Sequence, residues 1–325
     1  MAGVPRIRID MTDSIAQNVP PTTKQLTQAR GFAAAGAAFA IWGVLPLYLH
    51  TLVSVPALQI TAHRVSWGCL FALLLLAGRG EFAKLGATLR NRAICMRLVM
   101  SATLITINWT LYAWAVTHGH VIESSLGYFI NPLVNVLLGV VVLGERLTRA
   151  QWGAVTLAAF GVAYLTLLAG DVPWIAISLA LSFSLYGLVR KVTPVEALLG
   201  LSVETVLIAP IALVFLAFIH IDGHGAFEHA GPAVRLMLAC GGIVTVVPLV
   251  LFAVGARLLP YSTVGLLQYI APTLQLLIGV FVYGEPFLGP RVLGFVLIWA
   301  ALVVYGVEGV WRARAANQLA SQPSP

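Results

Sequence analysis

Apolar runs about as long as a lipid bilayer is thick recur along the whole sequence. Hydrophobic residues make up 59% of the 325 positions, charged residues make up 10%, and the mean hydropathy is +0.92. A water-soluble domain usually has an apolar fraction of about 45–50%, so it could not bury this much apolar surface. A helix needs about 20 apolar residues to cross the bilayer core. The pattern therefore predicts a polytopic membrane protein.

The runs predict helices rather than the strands of a membrane barrel. Barrel strands alternate apolar and polar residues, and the runs at 73–76 and 140–143 do not alternate. A helix also satisfies its own backbone polar groups, as hydrocarbon requires. We predict an all-α fold with ten transmembrane helices, at 30–51, 56–78, 97–117, 120–143, 151–169, 173–190, 195–219, 235–258, 261–283 and 291–311.

The basic residues predict the orientation of the chain. With the N-terminus inside, the cytoplasmic segments hold sixteen of the 19 Lys and Arg residues, the outer segments hold Arg235 and Arg291, and Arg64 lies within a span. Cytoplasmic connections of membrane proteins carry such an excess. We therefore expect a multi-pass protein of the inner (plasma) membrane with both termini cytoplasmic. The net charge of +7 then reflects topology, and no nucleic-acid partner is expected.

The second half of the chain repeats the first. At a shift of 140 residues, NPLVNVLLGVVVLGE (131–145) aligns with APTLQLLIGVFVYGE (271–285), so the pattern P-x6-G-x4-G-E occurs twice. The shift spans five helices, and an odd number turns the second copy upside down. The predicted organisation is a disordered cytoplasmic arm (1–29), a first five-helix repeat (30–169), an inverted second repeat (170–311) and a cytoplasmic tail (312–325).

Inverted repeats favour transport as the function. Two equivalent halves can exchange inward-open and outward-open shapes around a site at the membrane midplane. Gene duplication without functional symmetry is the alternative. The sequence has no Walker motif, so energy would come from gradients rather than from ATP bound by this chain.

The Gly-Glu pairs that end both copies are interpreted as helix boundaries. Gly144-Glu145 and Gly284-Glu285 follow the fourth and ninth predicted spans. After the first pair, Thr148-x-x-Gln151 predicts a capping box at the start of the fifth span. We assign these residues to architecture and not to chemistry.

Four polar residues from four spans fall near the membrane midplane. At about 1.5 Å per residue, Arg64 and Glu204 lie roughly 12 and 14 Å from the faces where their spans begin, and Asn108 and Asn131 lie roughly 16 Å from theirs. Charges at this depth are costly unless they face a cavity or each other. We expect Arg64 and Glu204 to line a substrate cavity, where they could pair. A purely structural ion pair between the second and seventh spans is the alternative.

Amide and aromatic side chains are predicted to complete this cavity. Asn131 and Asn135 share one face of the fourth span with Glu123, because they recur every four residues, although tight helix packing alone could explain this stripe. Glu123, near the outer rim, and Glu204 are the candidates for a gate or a proton-coupling site. The further cavity candidates are Trp109, Tyr112, Tyr186, Gln268 and Gln275, and the aromatic ones could stack on a planar or cationic solute or simply pack.

No residue cluster predicts an enzyme, a metal site or a cofactor. The three cysteines have no paired spacing, and no carboxylate or thiol stands at ligand spacing beside His118 and His120. No Ser-His-Asp arrangement and no Gly-rich phosphate loop is present in the sequence. We therefore expect neither catalysis nor a bound cofactor.

The duplicated helix ends, the ten-span layout and the segment Ala62–Arg64 resemble the EamA-type permeases of the drug/metabolite transporter superfamily. The segments ITAHRVSWG, NWTLYAWAV and SLGYFINPLVNVLLG are most similar to its RarD branch. This resemblance implies a central cavity formed by spans 1–4 and 6–9, with spans 5 and 10 peripheral. The chain carries Ala271 where the first repeat has Asn131, so the two halves need not bind a solute equivalently.

We therefore expect a secondary transporter that moves a small organic metabolite or drug by alternating access. Its partners would be that solute, the lipid bilayer, protons as a candidate coupling ion, and a second copy if the protein is a homodimer. A gradient-only facilitator is the alternative within transport. A non-transporting membrane receptor and an intramembrane enzyme are the alternatives outside it.

Overall fold

A computed structural model of the chain describes residues 21–117, 121–169, 174–282, 289 and 291–320. Of this part 87% is helical and none is strand, so the predicted all-α fold is confirmed. The helices are α1 (Pro21–Gly43), α2 (Leu45–His50), α3 (Ala57–Gly78), α4 (Phe82–Arg90), α5 (Arg92–Thr117), α6 (Val121–Val141), α7 (Arg149–Ala169), α8 (Trp174–Val192), α9 (Ala197–Ile221), α10 (Ala226–His229), α11 (Pro232–Leu258), α12 (Tyr261–Leu267), α13 (Ile270–Phe281) and α14 (Arg291–Ala320).

Seven helical segments in the described ranges are long and apolar enough to cross a membrane, and two shorter apolar helices cover Gly127–Val141 and Val292–Glu308. Large apolar side chains on them are exposed, for example Ile211 at 70% and Val214 at 71% on α9. Soluble proteins rarely expose contiguous apolar surface of this kind, whereas lipid covers it. The chain is therefore a polytopic α-helical membrane protein.

The ninth predicted span, 261–283, is interrupted. α12 and α13 have 7 and 12 residues, and each is shorter than the roughly 20 residues that a crossing needs. Pro272 weakens the helix at this point because it has no backbone N–H to donate to the carbonyl of Gln268. Ala271 N donates to Gln268 O instead, at 3.2 Å, which tightens the turn between the two helices.

The long helices pack in a defined set of pairs. α11 contacts both α1 and α3, α3 also contacts α9, α8 lies between α5 and α6, and α6 packs on α12. α14 packs mainly on α7. The centre of the bundle is a buried core that includes Phe39, Tyr186, Phe252 and Tyr261.

Glycine allows a close contact between α3 and α11. A Cβ atom added at Gly242 would lie 2.6 Å from the backbone C and O of Trp67. Gly242→Ala is expected to force the two helices apart and to lower the free energy of unfolding by about 1–3 kcal/mol. Gly36→Ala is the matched control, since a Cβ there meets no atom within 4 Å. Thermal unfolding of the purified protein in detergent tests this, and equal midpoints for the two variants would contradict it.

Candidate functional site

A cleft lies between α1, α2, α3, α5, α6, α8, α11 and α13. Its empty volume is about 880 Å³, which includes the open solvent at its mouth. Among the described residues, six polar side chains line it: Arg64, Asn108, Asn131, Thr245, Gln268 and Gln275. Six aromatic side chains of the same part of the chain line it as well: Phe39, Trp42, Trp109, Tyr112, Tyr128 and Phe183.

The cleft occupies the half of the bundle farther from the end that the basic residues predict to be cytoplasmic. Arg64 lies seven residues from the start of α3, and Asn131 lies ten residues from the start of α6. Both helices begin at the predicted outer face. Below the cleft, the bundle is filled by the buried core of Phe252, Tyr261 and Val264. The cleft is therefore closed toward the predicted cytoplasmic end.

Arg64 is the charged side chain among the described residues that line the cleft. Its Nε donates to Thr245 Oγ1 at 3.0 Å, and its guanidinium carbon lies 5.7 Å from the centre of the Trp109 ring. Gly241 leaves room for this side chain, because a Cβ atom at that position would lie 2.9 Å from Arg64 Cγ. Thr245 and Trp109 thus contact the guanidinium, and Gly241 leaves space for the aliphatic part of the side chain.

The amide side chains are held by hydrogen bonds to neighbouring helices. Asn108 Nδ2 donates to Leu179 O at 2.9 Å and to Ser182 Oγ at 3.0 Å, which ties α5 to α8. Asn131 Oδ1 accepts a 2.7 Å hydrogen bond from Ser184 Oγ. Gln275 Nε2 donates to Trp42 O at 3.1 Å. These bonds fix the orientation of the amides at the wall of the cleft.

The structure brings most of the predicted cavity residues together. Seven of the ten predicted cavity residues line the cleft: Arg64, Asn108, Trp109, Tyr112, Asn131, Gln268 and Gln275. Asn135 lies behind the wall, where its Nδ2 donates to Gln268 Oε1 at 2.8 Å. Tyr186 belongs to the buried core, where it stacks on Phe252. The Glu123 side chain falls outside the described residues.

Glu204 does not line the cleft. The predicted ion pair between Glu204 and Arg64 is wrong, because Glu204 pairs with Arg190. Glu204 lies 3.5 Å from Arg190 Nη1, and both side chains are 1% exposed. Ser101 Oγ donates to the same carboxylate. α3 and α9 begin at opposite faces of the membrane, and Arg64 and Glu204 each lie seven residues from the start of their helix. Each residue is therefore about 10 Å from the face where its helix begins. In a hydrocarbon core of about 30 Å, the two residues then differ in depth by about 10 Å. Glu204 is therefore a buried ion-pair residue between α9 and α8.

Glu145 joins the two halves at the predicted cytoplasmic end. Its carboxylate accepts hydrogen bonds from Tyr261 N at 2.5 Å, Ser262 N at 2.9 Å and Ser262 Oγ at 2.6 Å. It thereby caps the start of α12 from the chain segment that follows α6. The predicted capping box next to it is confirmed, since Thr148 N donates to Gln151 Oε1 and Gln151 N donates to Thr148 Oγ1.

Two basic side chains close the same end. Lys191 Nζ donates to Ala256 O at 2.8 Å and to Leu259 O at 2.6 Å, at the carboxyl end of α11. Arg257 Nη1 donates to Val195 O at 2.7 Å. A cation at a helix carboxyl end is favoured by the helix dipole. α8 and α11 are thus fastened to each other below the cleft.

Sequence reasoning missed several residues of the site. Phe39 and Phe183 begin the matching segments FAIWG and FSLYG of the two repeats, so the repeat itself carried a signal for them. No pattern marked Tyr128 or Thr245. The sequence placed Glu145 at a helix boundary and gave no sign of its bonds to α12.

A bundle of apolar helices around a polar cleft is typical of membrane transporters, and the known proteins that this chain resembles are named as transporters. Residues 29–167 match the EamA-like transporter family. "Uncharacterized transporter YojE" of Bacillus subtilis (strain 168) is 44% identical over 293 residues, covering 89% of this chain and 97% of the relative. A solved crystal structure of a 20% identical protein has a TM-score of 0.64 over 84% of this chain and 96% of that chain, and so shares the fold.

The chain belongs to the EamA-like transporter family, in its RarD branch. "Protein RarD" of Escherichia coli (strain K12) is 40% identical over 289 residues, which is 89% of this chain and 98% of that protein. "Chloramphenicol-sensitive protein RarD" of Pseudomonas aeruginosa is 32% identical over 274 residues, covering 83% of this chain and 91% of that protein. The predicted resemblance is therefore confirmed, and the chain is a multi-pass membrane transporter of the inner membrane.

Proposed function

We propose that this protein is a secondary transporter that carries a small organic metabolite or drug across the inner membrane by alternating access. The observation that carries this proposal is the cleft around Arg64, which holds polar groups in one half of the bundle and is packed shut in the other. A site that is open toward one face and closed toward the other is what alternating access requires. The solute would bind among the amides and aromatic rings of the cleft.

The proposed architecture is ten transmembrane helices in two inverted repeats, 30–169 and 170–311, between a cytoplasmic arm (1–29) and tail (312–325). The helix packing supports it. Exchanging the repeats turns the contact of α1 with α11 into that of α8 with α5, and both contacts exist. The same exchange relates the contact of α3 with α11 to that of α9 with α5. The same exchange maps the contact of α3 with α9 onto itself, and it does the same for the contact of α7 with α14.

In the proposed orientation both termini are cytoplasmic, so the structure represents an outward-facing state. Glu145, Lys191 and Arg257 would then form the cytoplasmic closure. Opening toward the cytoplasm requires the Glu145 bonds to α12 to break, while the outer ends of α1, α5 and α6 close over the cleft. The pseudo-symmetry of the packing supports such an exchange of shapes.

For coupling we propose Glu204 as the proton site, with Glu123 as the second candidate. Glu204 Oε2 has no hydrogen-bond partner within the described part of the chain. Protonation would remove the charge that faces Arg190, and the loss of this attraction would loosen α8 from α9. A gradient-only facilitator is the alternative, and it is distinguished by whether collapse of the proton gradient abolishes flux.

A homodimer is also proposed, in which lipid-exposed helices of two copies pack against each other.

Flux into vesicles tests the proposed function. Untargeted comparison of the metabolites kept by cells with and without the protein identifies candidate solutes. These solutes are then followed in proteoliposomes that contain the purified protein. We expect saturable flux that the wild-type protein supports and empty liposomes do not. If no solute crosses in the presence of the protein, then a non-transporting receptor is the better explanation.

A further inference from the structure

Within the described part of the chain, the cleft holds a cation without a matching anion. Arg64 lines it, and none of the described lining residues is Asp or Glu. In the described part of the chain, no carboxylate forms an ion pair with Arg64. A charge this deep in the membrane is costly unless a partner or water compensates it. Among the described residues Arg64 therefore has no anionic partner, and an anionic ligand would supply one.

The guanidinium is presented in a geometry that suits a carboxylate. Its Nε is occupied by Thr245 Oγ1, and the Trp109 ring lies beside its charged carbon. The structure records no acceptor for Nη1 or Nη2 among the described residues. These two groups form one edge of the planar fork, and a carboxylate can accept two parallel hydrogen bonds from such an edge.

The rest of the cleft fits the body of the ligand. Six aromatic rings of the described residues line it, and they offer flat apolar surface. Two amides offer further polar contacts, because Asn108 and Gln275 each use only the nitrogen of the amide in their recorded hydrogen bonds. Their oxygens accept hydrogen bonds, so a hydroxyl or amide N–H on the ligand body has partners.

We propose that the substrate is an organic monocarboxylate with an aromatic or apolar body, whose carboxylate binds Nη1 and Nη2 of Arg64. This inference rests on the proposed transport function and assigns the substrate class of the same cleft. A neutral solute would leave the guanidinium unpaired. An amine would place a second cation beside it without a described carboxylate to balance the two. A monocarboxylate neutralises the site with one charge.

Binding of three matched probes tests the proposal. The probes are 3-phenylpropionate, 3-phenylpropanamide and 3-phenylpropylamine, which share one body and carry charges of −1, 0 and +1 at neutral pH. Trp42 and Trp109 line the cleft, so their fluorescence reports occupancy in the purified full chain. We expect 3-phenylpropionate to bind at least tenfold more tightly than the other two. Equal binding of all three, tighter binding of the amine, or no binding of 3-phenylpropionate would overturn the proposal.

Variants of Arg64 separate charge from geometry. Arg64→Gln is expected to weaken 3-phenylpropionate binding at least tenfold and to leave the amide unaffected. Arg64→Lys keeps the charge but loses the fork, so intermediate affinity is expected. Arg235→Gln is the matched control, because it removes an arginine that lies on the exposed surface outside the cleft. Unchanged 3-phenylpropionate binding by Arg64→Gln contradicts the assignment, and the wild-type probe series decides the matter even if that variant does not fold.

Flux from vesicles distinguishes this proposal from the function on which it rests. Proteoliposomes are loaded with a metabolite extract, and the solutes released by wild-type protein are compared with those released by Arg64→Gln. We expect the Arg64-dependent solutes to be monocarboxylates. If only neutral or cationic solutes leave, the protein is a transporter of a different substrate class and the monocarboxylate assignment is wrong. If no solute leaves, the transport function itself fails.

Discussion

Glu204→Ala is expected to lower the free energy of unfolding by about 3–5 kcal/mol, because it leaves a buried charge without a partner. Arg190 is 1% exposed and lies 3.5 Å from the Glu204 carboxylate. Its Nη2 donates to Ala197 O at 2.8 Å, whereas its Nε and Nη1 have no hydrogen-bond partner in the described residues. Without Glu204, the Arg190 guanidinium has no ion-pair partner among the described residues.

The double variant Arg190→Met with Glu204→Leu is the control for this effect. Replacing both members of a buried ion pair by apolar residues is often neutral or stabilising. We therefore expect the double variant to recover most of the stability that Glu204→Ala loses. Chemical unfolding in detergent measures both. Wild-type stability in the single variant, or equal losses in the single and double variants, would show that the pair does not stabilise the bundle.

Glu145→Ala is expected to shift the protein toward the cytoplasm-open state. Its carboxylate accepts three hydrogen bonds at the start of α12, two of them from the backbone of Tyr261 and Ser262. A hydrogen bond to a charged group contributes about 1.5–3 kcal/mol. If the cytoplasm-closed state alone loses about 3 kcal/mol of stabilisation, the ratio of the cytoplasm-open to the cytoplasm-closed state rises by a factor of roughly 100.

The readout for this shift is the reactivity of a cysteine buried beneath the cleft. Val264 is 0% exposed and lies in the core that closes the cytoplasmic end. In a chain whose Cys69, Cys95 and Cys240 are replaced by serine, Val264→Cys should react slowly with a thiol reagent. Adding Glu145→Ala should accelerate the reaction. Glu145→Gln should have a smaller effect, since its amide oxygen still accepts one bond. No acceleration in Glu145→Ala would exclude Glu145 as a gate.

The sequence predicted the helices well because apolar length and local capping are short-range properties. Every described long helix overlaps a predicted span, and the capping box at Thr148 and Gln151 has the expected bonds. The break between α12 and α13 was harder to predict. Pro132 and Pro272 occupy equivalent places in the repeat, yet α6 continues through its proline and the ninth span does not. The surroundings of each proline decide this outcome, and they are set by tertiary packing.

The site was predicted in part, because depth along a helix can be estimated from the sequence but direction around it cannot. Arg64, Asn108 and Asn131 have the depth and the direction that bring them to one cleft. Glu204 has a comparable distance from its own face, but it points toward Arg190 on α8. Glu145 shows the same limit, since its partners are 116 and 117 residues away in sequence.

The central claim is that one cleft is reached from the two sides of the membrane in turn. Labelling Ala271→Cys with a membrane-impermeant thiol reagent tests it most directly, because Ala271 lines the cleft. In the cysteine-replaced chain, we predict labelling from the outer face only, and labelling from the cytoplasmic face once Glu145→Ala is added. Bound 3-phenylpropionate should slow both reactions. Labelling from neither face, or from both faces at equal rates in one background, would contradict the account.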